Sequence, residues 1–190
     1  MAGRLMQGLT AHGRARTRRT TGGFSLLEVT LSITVLLVAL LAATASTLKM
    51  AGLRRVTRER MLAQNAVRAV SERLQSLADR GTTDPAGWNA VVLGGLAAGG
   101  EVGPTFDVQE LTAREGAASV GTVELVTDET TTDAALGTQL GLPRDLDGDG
   151  AATSADVSTT ARVFPVVVRA RWHGAAGNSE IVHAFYLARF

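Results

Sequence analysis

The feature that most constrains this chain is a long apolar run near its N-terminus. From Leu26 to Leu48 nearly every residue is apolar, small or hydroxyl-bearing, and the only charged residue is Glu28. Counted from Phe24, the run is about 25 residues long, and about 20 apolar residues suffice for a helix to cross a bilayer. A carboxylate at the centre of such a span costs about 2.5–3.5 kcal/mol, and less near an end. The run therefore predicts a membrane-spanning helix in which Glu28 requires a partner.

The residues before this run differ sharply from it in charge. Residues 1–23 contain five arginines and no acidic residue, whereas the whole chain has a formal net charge of +1. Without those five arginines, 14 basic residues remain against 18 acidic ones, a net charge of −4. A basic leader favours a cytoplasmic N-terminus, and the lack of a basic excess in the remainder argues against a nucleic-acid partner. The chain has no cysteine, so no disulfide stabilises it.

A short motif joins the basic leader to the apolar run: Gly23, Phe24, Ser25, Leu26, Leu27 and Glu28. The motif, its leader and the span behind it resemble the prepilin cleavage and methylation site of the type IV filament family. That family includes type IV pilins, minor pilins and type II secretion pseudopilins, and the resemblance covers roughly residues 14–55. It implies that a prepilin peptidase cuts after Gly23 and that the new N-terminal residue, Phe24, is N-methylated.

The resemblance also implies a role for Glu28. In the family, the equivalent glutamate pairs with the N-terminal amine of a neighbouring subunit, and a buried charge is tolerable when it is paired. The chain is then expected to be a structural subunit of a type IV pilus or a type II secretion pseudopilus. Its partners would be the prepilin peptidase and methyltransferase and other pilin-like subunits. It would cross the bacterial inner membrane once, with its head outside the cytoplasm.

Two other interpretations of the N-terminus are an ordinary signal anchor and a secretory signal peptide. A signal peptide could be cleaved at the small residues Ala43 to Ala45. However, the apolar run exceeds the usual length of about 7–15 residues for the apolar part of a signal peptide. Neither interpretation explains Glu28.

Beyond the span, the sequence predicts that the same helix continues with one apolar face. Apolar residues recur at steps of three and four through residues 49–80, and Gly81 is a natural stop. We expect this face to cover a sheet, the alternative being a coiled-coil partner helix. The face comprises Val56, Ala63, Ala66, Val67, Val70, Leu74 and Leu77, and the charged residues Arg58, Glu59, Arg60, Arg68, Glu72 and Arg73 fall largely outside it.

The remaining residues predict an α+β head, with a pilin-like arrangement in which the long N-terminal helix packs on a C-terminal antiparallel sheet of about four strands. The predicted organisation is a cleaved leader (1–23), a transmembrane or filament-core helix (24–48), an amphipathic helix (49–80) and a head (81–190). Asp84 and Pro85 predict a short helix that ends near Leu93, followed by a glycine-rich loop. Alternation predicts strands at Phe106–Leu111, Val120–Thr127, Arg162–His173 and Ile181–Arg189.

An acidic loop at residues 145–156 fits the twelve-residue calcium loop of EF-hand type. Asp145, Asp147, Asp149 and Asp156 take the first, third, fifth and twelfth places, and Gly150 takes the sharp turn at the sixth. Ala151 would offer its backbone carbonyl, and Thr153 would ligate directly or through water. The residues before the loop do not predict a helix, so the pattern indicates an isolated Ca²⁺ loop with a structural role. The alternative is a solvated turn, in which Asp and Gly are common.

The sequence gives little support for catalysis. His173 and His183 lie on strands predicted to be hairpin partners and could bind a transition metal as a pair, but surface imidazoles are the ordinary interpretation. No nucleophile motif or phosphate loop is present, so we expect a protein that is not an enzyme. A second hypothesis is a membrane-anchored calcium-binding interaction module that does not polymerise.

Overall fold

The structure is a computed structural model that describes residue 23, residues 25–81 and residues 84–189. The predicted leader up to residue 22 and the predicted methylation site Phe24 lie outside the described residues. The elements in chain order are α1 (Leu26–Asp79), α2 (Pro85–Leu96), β1 (Thr105–Phe106), β2 (Thr112–Ala113), β3 (Gly121–Leu125), α3 (Asp133–Leu136), β4 (Val163–Gly174) and β5 (Gly177–Ala188). The predicted α+β class is confirmed.

The helix α1 is 54 residues long and begins and ends close to the predicted bounds. The chain divides within it into two compact units, Met1–Ser46 and Thr47–Phe190. In the first unit every described residue is exposed. By its length and composition, α1 can cross a membrane.

In the second unit, α1 buries the face that its apolar periodicity predicts. Its buried residues are Glu59, Ala63, Val67, Val70, Ser71, Leu74, Leu77 and Ala78. Glu59, Ser71 and Ala78 are buried although the predicted face does not include them, and Glu59 is the charged residue among them. Its carboxylate accepts a hydrogen bond from the backbone N–H of Ala175, at 3.0 Å, in the turn between β4 and β5. Glu59 therefore joins α1 to the tip of the final hairpin.

β4 lies at the centre of the antiparallel sheet. It pairs with β5 along its whole length on one side and with β3 and the short β2 on the other, while β1 extends the sheet beyond β3. Among the described residues the sheet has five strands, in keeping with the predicted number of about four, and two of them contain only two residues. The predicted strand Phe106–Leu111 is wrong beyond Phe106. The chain leaves the sheet there because Asp107 accepts a hydrogen bond from the N–H of Val120, at 3.1 Å, and Glu110 has a φ of 69°.

The hairpin of β4 and β5 follows the prediction closely, except that its second strand begins earlier in the chain. β5 starts at Gly177, four residues before the predicted Ile181, because Ala175 and Ala176 alone form the turn. Gly177 has a φ of 85°, which glycine adopts without strain. Val166, Val168, Ala170 and Trp172 are buried on one face of β4, as the alternation predicts.

The helix α2 closes the core beside the sheet. Trp88 stacks on Phe164 with ring centroids 5.3 Å apart, and its indole N–H donates to the carbonyl of Ala78 at 2.9 Å. α2 runs three residues past its predicted end, so Gly94 and Gly95 lie in the helix rather than in the glycine loop. A side chain at Gly95 would come within 2.1 Å of Leu77, and the glycine therefore allows close packing on α1.

The connection between β3 and β4 covers the other face of the sheet. Its apolar residues Val126, Leu136 and Leu142 pack against Val167 of β4. The connection then places the acidic loop at the start of β4, where the carbonyl of Leu146 accepts the N–H of Arg162 at 2.8 Å. The fold thus anchors the acidic loop directly to its central strand.

Candidate functional site

The first candidate site is the start of α1. The hydroxyl of Ser25 accepts a hydrogen bond from the N–H of Glu28 at 3.2 Å, as expected of a residue that caps a helix. Glu28 lies in the first turn and is exposed, and none of the basic side chains that the structure describes forms an ion pair with it. Between Leu26 and Ser46 it is the only charged residue.

The hydroxyl groups of this helix donate to the helix itself. Ser32 donates to the carbonyl of Glu28 at 2.7 Å, Thr34 to that of Thr30 at 2.8 Å, and Thr44 to that of Leu40 at 2.8 Å. Such back-bonding gives these hydroxyl groups a partner that does not depend on water. The segment therefore combines an apolar surface, satisfied hydroxyls and one carboxylate.

The second candidate site is the acidic loop. In its first half, aspartate side chains accept hydrogen bonds from backbone N–H groups that follow them in the chain. Asp145 accepts from Gly148 and, at 2.9 Å, from Gly150. Asp147 accepts from the N–H of Asp149 at 3.0 Å. Gly148 and Gly150 have φ values of 81° and 94°, so this winding requires glycine at both places. The sharp turn predicted at Gly150 is confirmed.

Glu129 lies outside the loop and accepts hydrogen bonds from its backbone. Its side chain is completely buried. One carboxylate oxygen accepts the N–H groups of Leu146 and Asp147, at 2.7 and 3.3 Å, and the other accepts that of Ser154, at 3.1 Å. No ion pair within the described residues involves Glu129.

Glu129, Asp145 and Asp147 bring their carboxylates together. One oxygen atom from each lies within 4.8 Å of the others, and the two aspartates are half-buried. Such an arrangement could hold a metal ion. Sequence reasoning missed Glu129 because it lies 16 residues before the loop, in a polar stretch that gives no sign of burial.

The other predicted ligands are not part of this cluster. The carboxylate of Asp149 accepts the N–H of Ala151 at 2.8 Å, and that of Asp156 accepts the N–H of Ser158 at 2.9 Å. Ala151, Thr153 and Asp156 are exposed. The structure therefore brings together two of the predicted aspartates and adds a glutamate that was not predicted.

Both Glu129 and Asp145 are held as anions. Burial raises the pKa of Glu129, but the N–H groups of Leu146, Ser154 and Asp147 together outweigh it and leave that pKa below its ordinary value. The N–H groups of Gly150 and Gly148 lower the pKa of Asp145, against a smaller rise caused by burial. Two negative charges therefore stand close together at neutral pH.

The donor set fits a hard cation. All three side chains offer carboxylate oxygens, the ligands that Ca²⁺ and Mg²⁺ prefer. Carboxylates whose oxygen atoms lie within 4.8 Å of one another repel, and a bound cation relieves that repulsion. A thiolate or imidazole, which zinc or copper would favour, is absent from the described cluster.

The two histidines on the final strands do not form a metal pair. In the hairpin, His173 lies opposite Asn178 and His183 lies opposite Val168. The ring of His173 hydrogen bonds to the Asn178 side chain at 3.0 Å, and that of His183 stacks on Phe185 with centroids 5.2 Å apart. Both imidazoles are exposed.

The chain matches no protein-family model, no curated protein and no solved structure.

Proposed function

We propose that this chain is a prepilin-like structural subunit, anchored by α1 in the bacterial inner membrane and assembled through it into a type IV pilus or type II secretion pseudopilus. The observation that carries the proposal is the helix from Leu26 to Ser46, which is exposed throughout and bears one charge, Glu28, in its first turn. Apolar surface of this extent requires lipid or other helices around it.

Cleavage after Gly23 would supply a partner for Glu28, which forms no ion pair among the described residues. The reaction would liberate an amine at Phe24, four residues before the carboxylate, and a neighbouring subunit would present that amine to Glu28. The pair would set the register of adjacent subunits, while the helices cover one another's apolar surfaces. The proposed work of the protein is therefore mechanical rather than catalytic.

The proposal is tested by the N-terminus of the processed protein. When the chain is co-expressed with a prepilin peptidase, we expect mass spectrometry to find a mature form that begins with N-methylated Phe24. Replacing Gly23 with valine should leave the leader attached, because the resemblance places the cut directly after this glycine. A mature chain that starts after Ala45, or one that keeps its arginines, would refute the proposal.

For the acidic loop, we infer a structural Ca²⁺ site. Glu129, Asp145 and Asp147 would hold the ion, and the remaining loop residues Asp149, Ala151, Thr153 and Asp156 are the further ligands that the sequence predicts. Bound Ca²⁺ would neutralise the carboxylates of the cluster. A chain without disulfides would thereby fix its longest connection to the sheet.

The calcium site predicts a rise in thermal stability on addition of Ca²⁺. A ligand that binds only the folded state at 100 times its Kd adds about 2.7 kcal/mol, and we expect a melting temperature several degrees higher for the full chain in detergent. The effect should reverse with a chelator and disappear in Asp147→Asn. Asp79→Asn, remote from the loop in sequence, is the control that should keep it. An unchanged melting temperature in saturating Ca²⁺ would contradict the site.

The second candidate function is a membrane-anchored calcium-binding module that does not polymerise. The carboxylate cluster favours this function, which gives Glu28 no role in pairing with another subunit. The two functions therefore differ in what they expect of a Glu28 substitution.

A further inference from the structure

β5 is an edge strand of unusual length. It contains 12 residues and, within the described chain, pairs only with β4. Typical strands have about five or six residues, and natural proteins usually protect long edges with charges, prolines or bulges. β5 has no proline and a single charged residue, Glu180.

The pairing register shows which backbone groups face outward. The N–H of Arg171 donates to Val120 at 2.7 Å, so the odd-numbered residues of β4 bond towards β3. The even-numbered residues then bond towards β5, where each is paired with an odd-numbered residue. The backbone groups of Glu180, Val182, Ala184 and Tyr186 consequently point away from the sheet. No backbone hydrogen bond within the described residues reaches them.

A groove follows this outer edge, between β5 and the second half of α1. One part, about 500 Å³ in volume, lies beside Ile181, Val182 and His183. A second part, about 290 Å³, lies beside Tyr186, Leu187 and Ala188. Gln75 of α1 lines both parts, so the two adjoin at this residue.

The groove has the shape and chemistry that an extended chain requires. At about 3.3 Å per residue, the eight residues from Ile181 to Ala188 span roughly 26 Å. Val67 and Ile181 supply apolar surface, and α1 also presents Gln64, Gln75 and the ion pair of Arg68 and Glu72. The edge supplies backbone donors and acceptors in alternation. A helix has no spare backbone groups to match this edge, whereas a strand matches it residue by residue.

We propose that the outer edge of β5 binds an extended polypeptide segment of a partner protein, which adds to the sheet as a further strand in the groove beside α1. The segment would be six to eight residues long. Small or branched apolar side chains would meet Val67 and Ile181, and polar side chains would meet Gln64, Arg68, Glu72 and Gln75. This inference does not depend on the proposed filament function.

The test uses the full chain in detergent and a library of fluorescein-labelled octapeptides in which valine, isoleucine, threonine and lysine alternate. We expect members of the library to bind, as measured by fluorescence anisotropy. Val182→Pro removes an outward N–H without breaking a hydrogen bond to β4, and proline is tolerated at such edge positions. Loss of that hydrogen bond and the added ring should weaken binding by roughly tenfold. Val182→Thr, which keeps the N–H and the branched shape, should bind as the wild type does.

Methylation of the peptide backbone provides a second measurement that leaves the protein unchanged. Two versions of the best peptide would carry N-methyl groups on alternate residues, one on the odd-numbered and one on the even-numbered residues. Binding should be abolished when the methyl groups replace the N–H groups that face β5, and little affected when they replace those that face away. This result would support strand addition even if Val182→Pro failed to fold.

Three outcomes would overturn the proposal. The first is that no peptide of the library binds at millimolar concentration. The second is that the two N-methylated peptides bind equally well and that a folded Val182→Pro variant binds as the wild type does. The third is self-association of the chain in sedimentation experiments that Val182→Pro abolishes, which would assign the edge to a second copy instead of a partner.

Discussion

Replacing Glu129 with alanine is expected to lower the free energy of unfolding of the second unit by about 3–5 kcal/mol. The substitution leaves the N–H groups of Leu146, Asp147 and Ser154 without their acceptor, and each bond to an ionised group contributes about 1.5–3 kcal/mol. The melting temperature should fall by roughly 10 °C. Fluorescence can report it directly, because both tryptophans, Trp88 and Trp172, are buried in this unit.

The matched control is Glu124→Gln. Glu124 is an exposed glutamate on β3 for which the structure shows no hydrogen bond or ion pair among the described residues, and its substitution should change the melting temperature by no more than about 2 °C, in line with a surface change. Glu129→Gln should fall between the two, since its amide keeps one acceptor oxygen but turns a donor towards another N–H. Equal melting temperatures for Glu129→Ala and the Glu124 control would show that the buried carboxylate does not hold the loop.

The calcium response gives Glu129→Ala a second readout. If the variant is folded but loses the rise in melting temperature caused by Ca²⁺, Glu129 is a ligand or fixes the ligands. If it is destabilised yet keeps the full rise, Glu129 supports only the backbone of the loop. The two results separate the structural role, which the hydrogen bonds show, from the proposed metal site.

Much of the fold could be predicted because it depends on local periodicity. The spacing of Ala63, Val67, Val70 and Leu74 predicted the buried face of α1, and the alternation of Val166 to Trp172 predicted β4. Both patterns reflect the backbone geometry, which places residues of like spacing on one face. The burial of Val167 on the opposite face of β4 has no such signal, because the connection before β4 covers that face. The short strands β1 and β2 could not be predicted except at Phe106, since two residues carry no period and their positions depend on tertiary contacts.

The same distinction holds for the acidic loop. The turn from Asp145 to Gly150 could be predicted because its hydrogen bonds join residues no more than five apart. Glu129 could not, because its burial and its three N–H partners arise only when the connection folds back on the start of β4. The burial of Glu59 was missed for an equivalent reason, since its partner, the N–H of Ala175, lies 116 residues away.

Under the proposed filament function, replacing Glu28 with glutamine is expected to reduce filament assembly without reducing membrane insertion. An uncharged amide enters lipid more readily than a carboxylate, so insertion should be unchanged or improved. Incorporation into filaments should fall by at least about tenfold, because a charged hydrogen bond contributes about 1.5–3 kcal/mol and 1.4 kcal/mol corresponds to tenfold. Quantitative immunoblots of membrane and sheared-filament fractions measure both quantities in one experiment.

The control must separate loss of pairing from loss of processing. Cleavage after Gly23 should proceed normally in Glu28→Gln, which mass spectrometry of the N-terminus can verify. Glu72→Gln removes a carboxylate that pairs with Arg68 on the exposed surface of the same helix, at 2.8 Å, and should leave incorporation unchanged, since exposed pairs of this kind contribute little. A Glu28→Gln protein that is processed, inserted and incorporated as the wild type would remove the need for an amine partner. The carboxylate in the first turn of α1 would then be a feature of the anchor alone, and the non-polymerising module would become the better description of the chain.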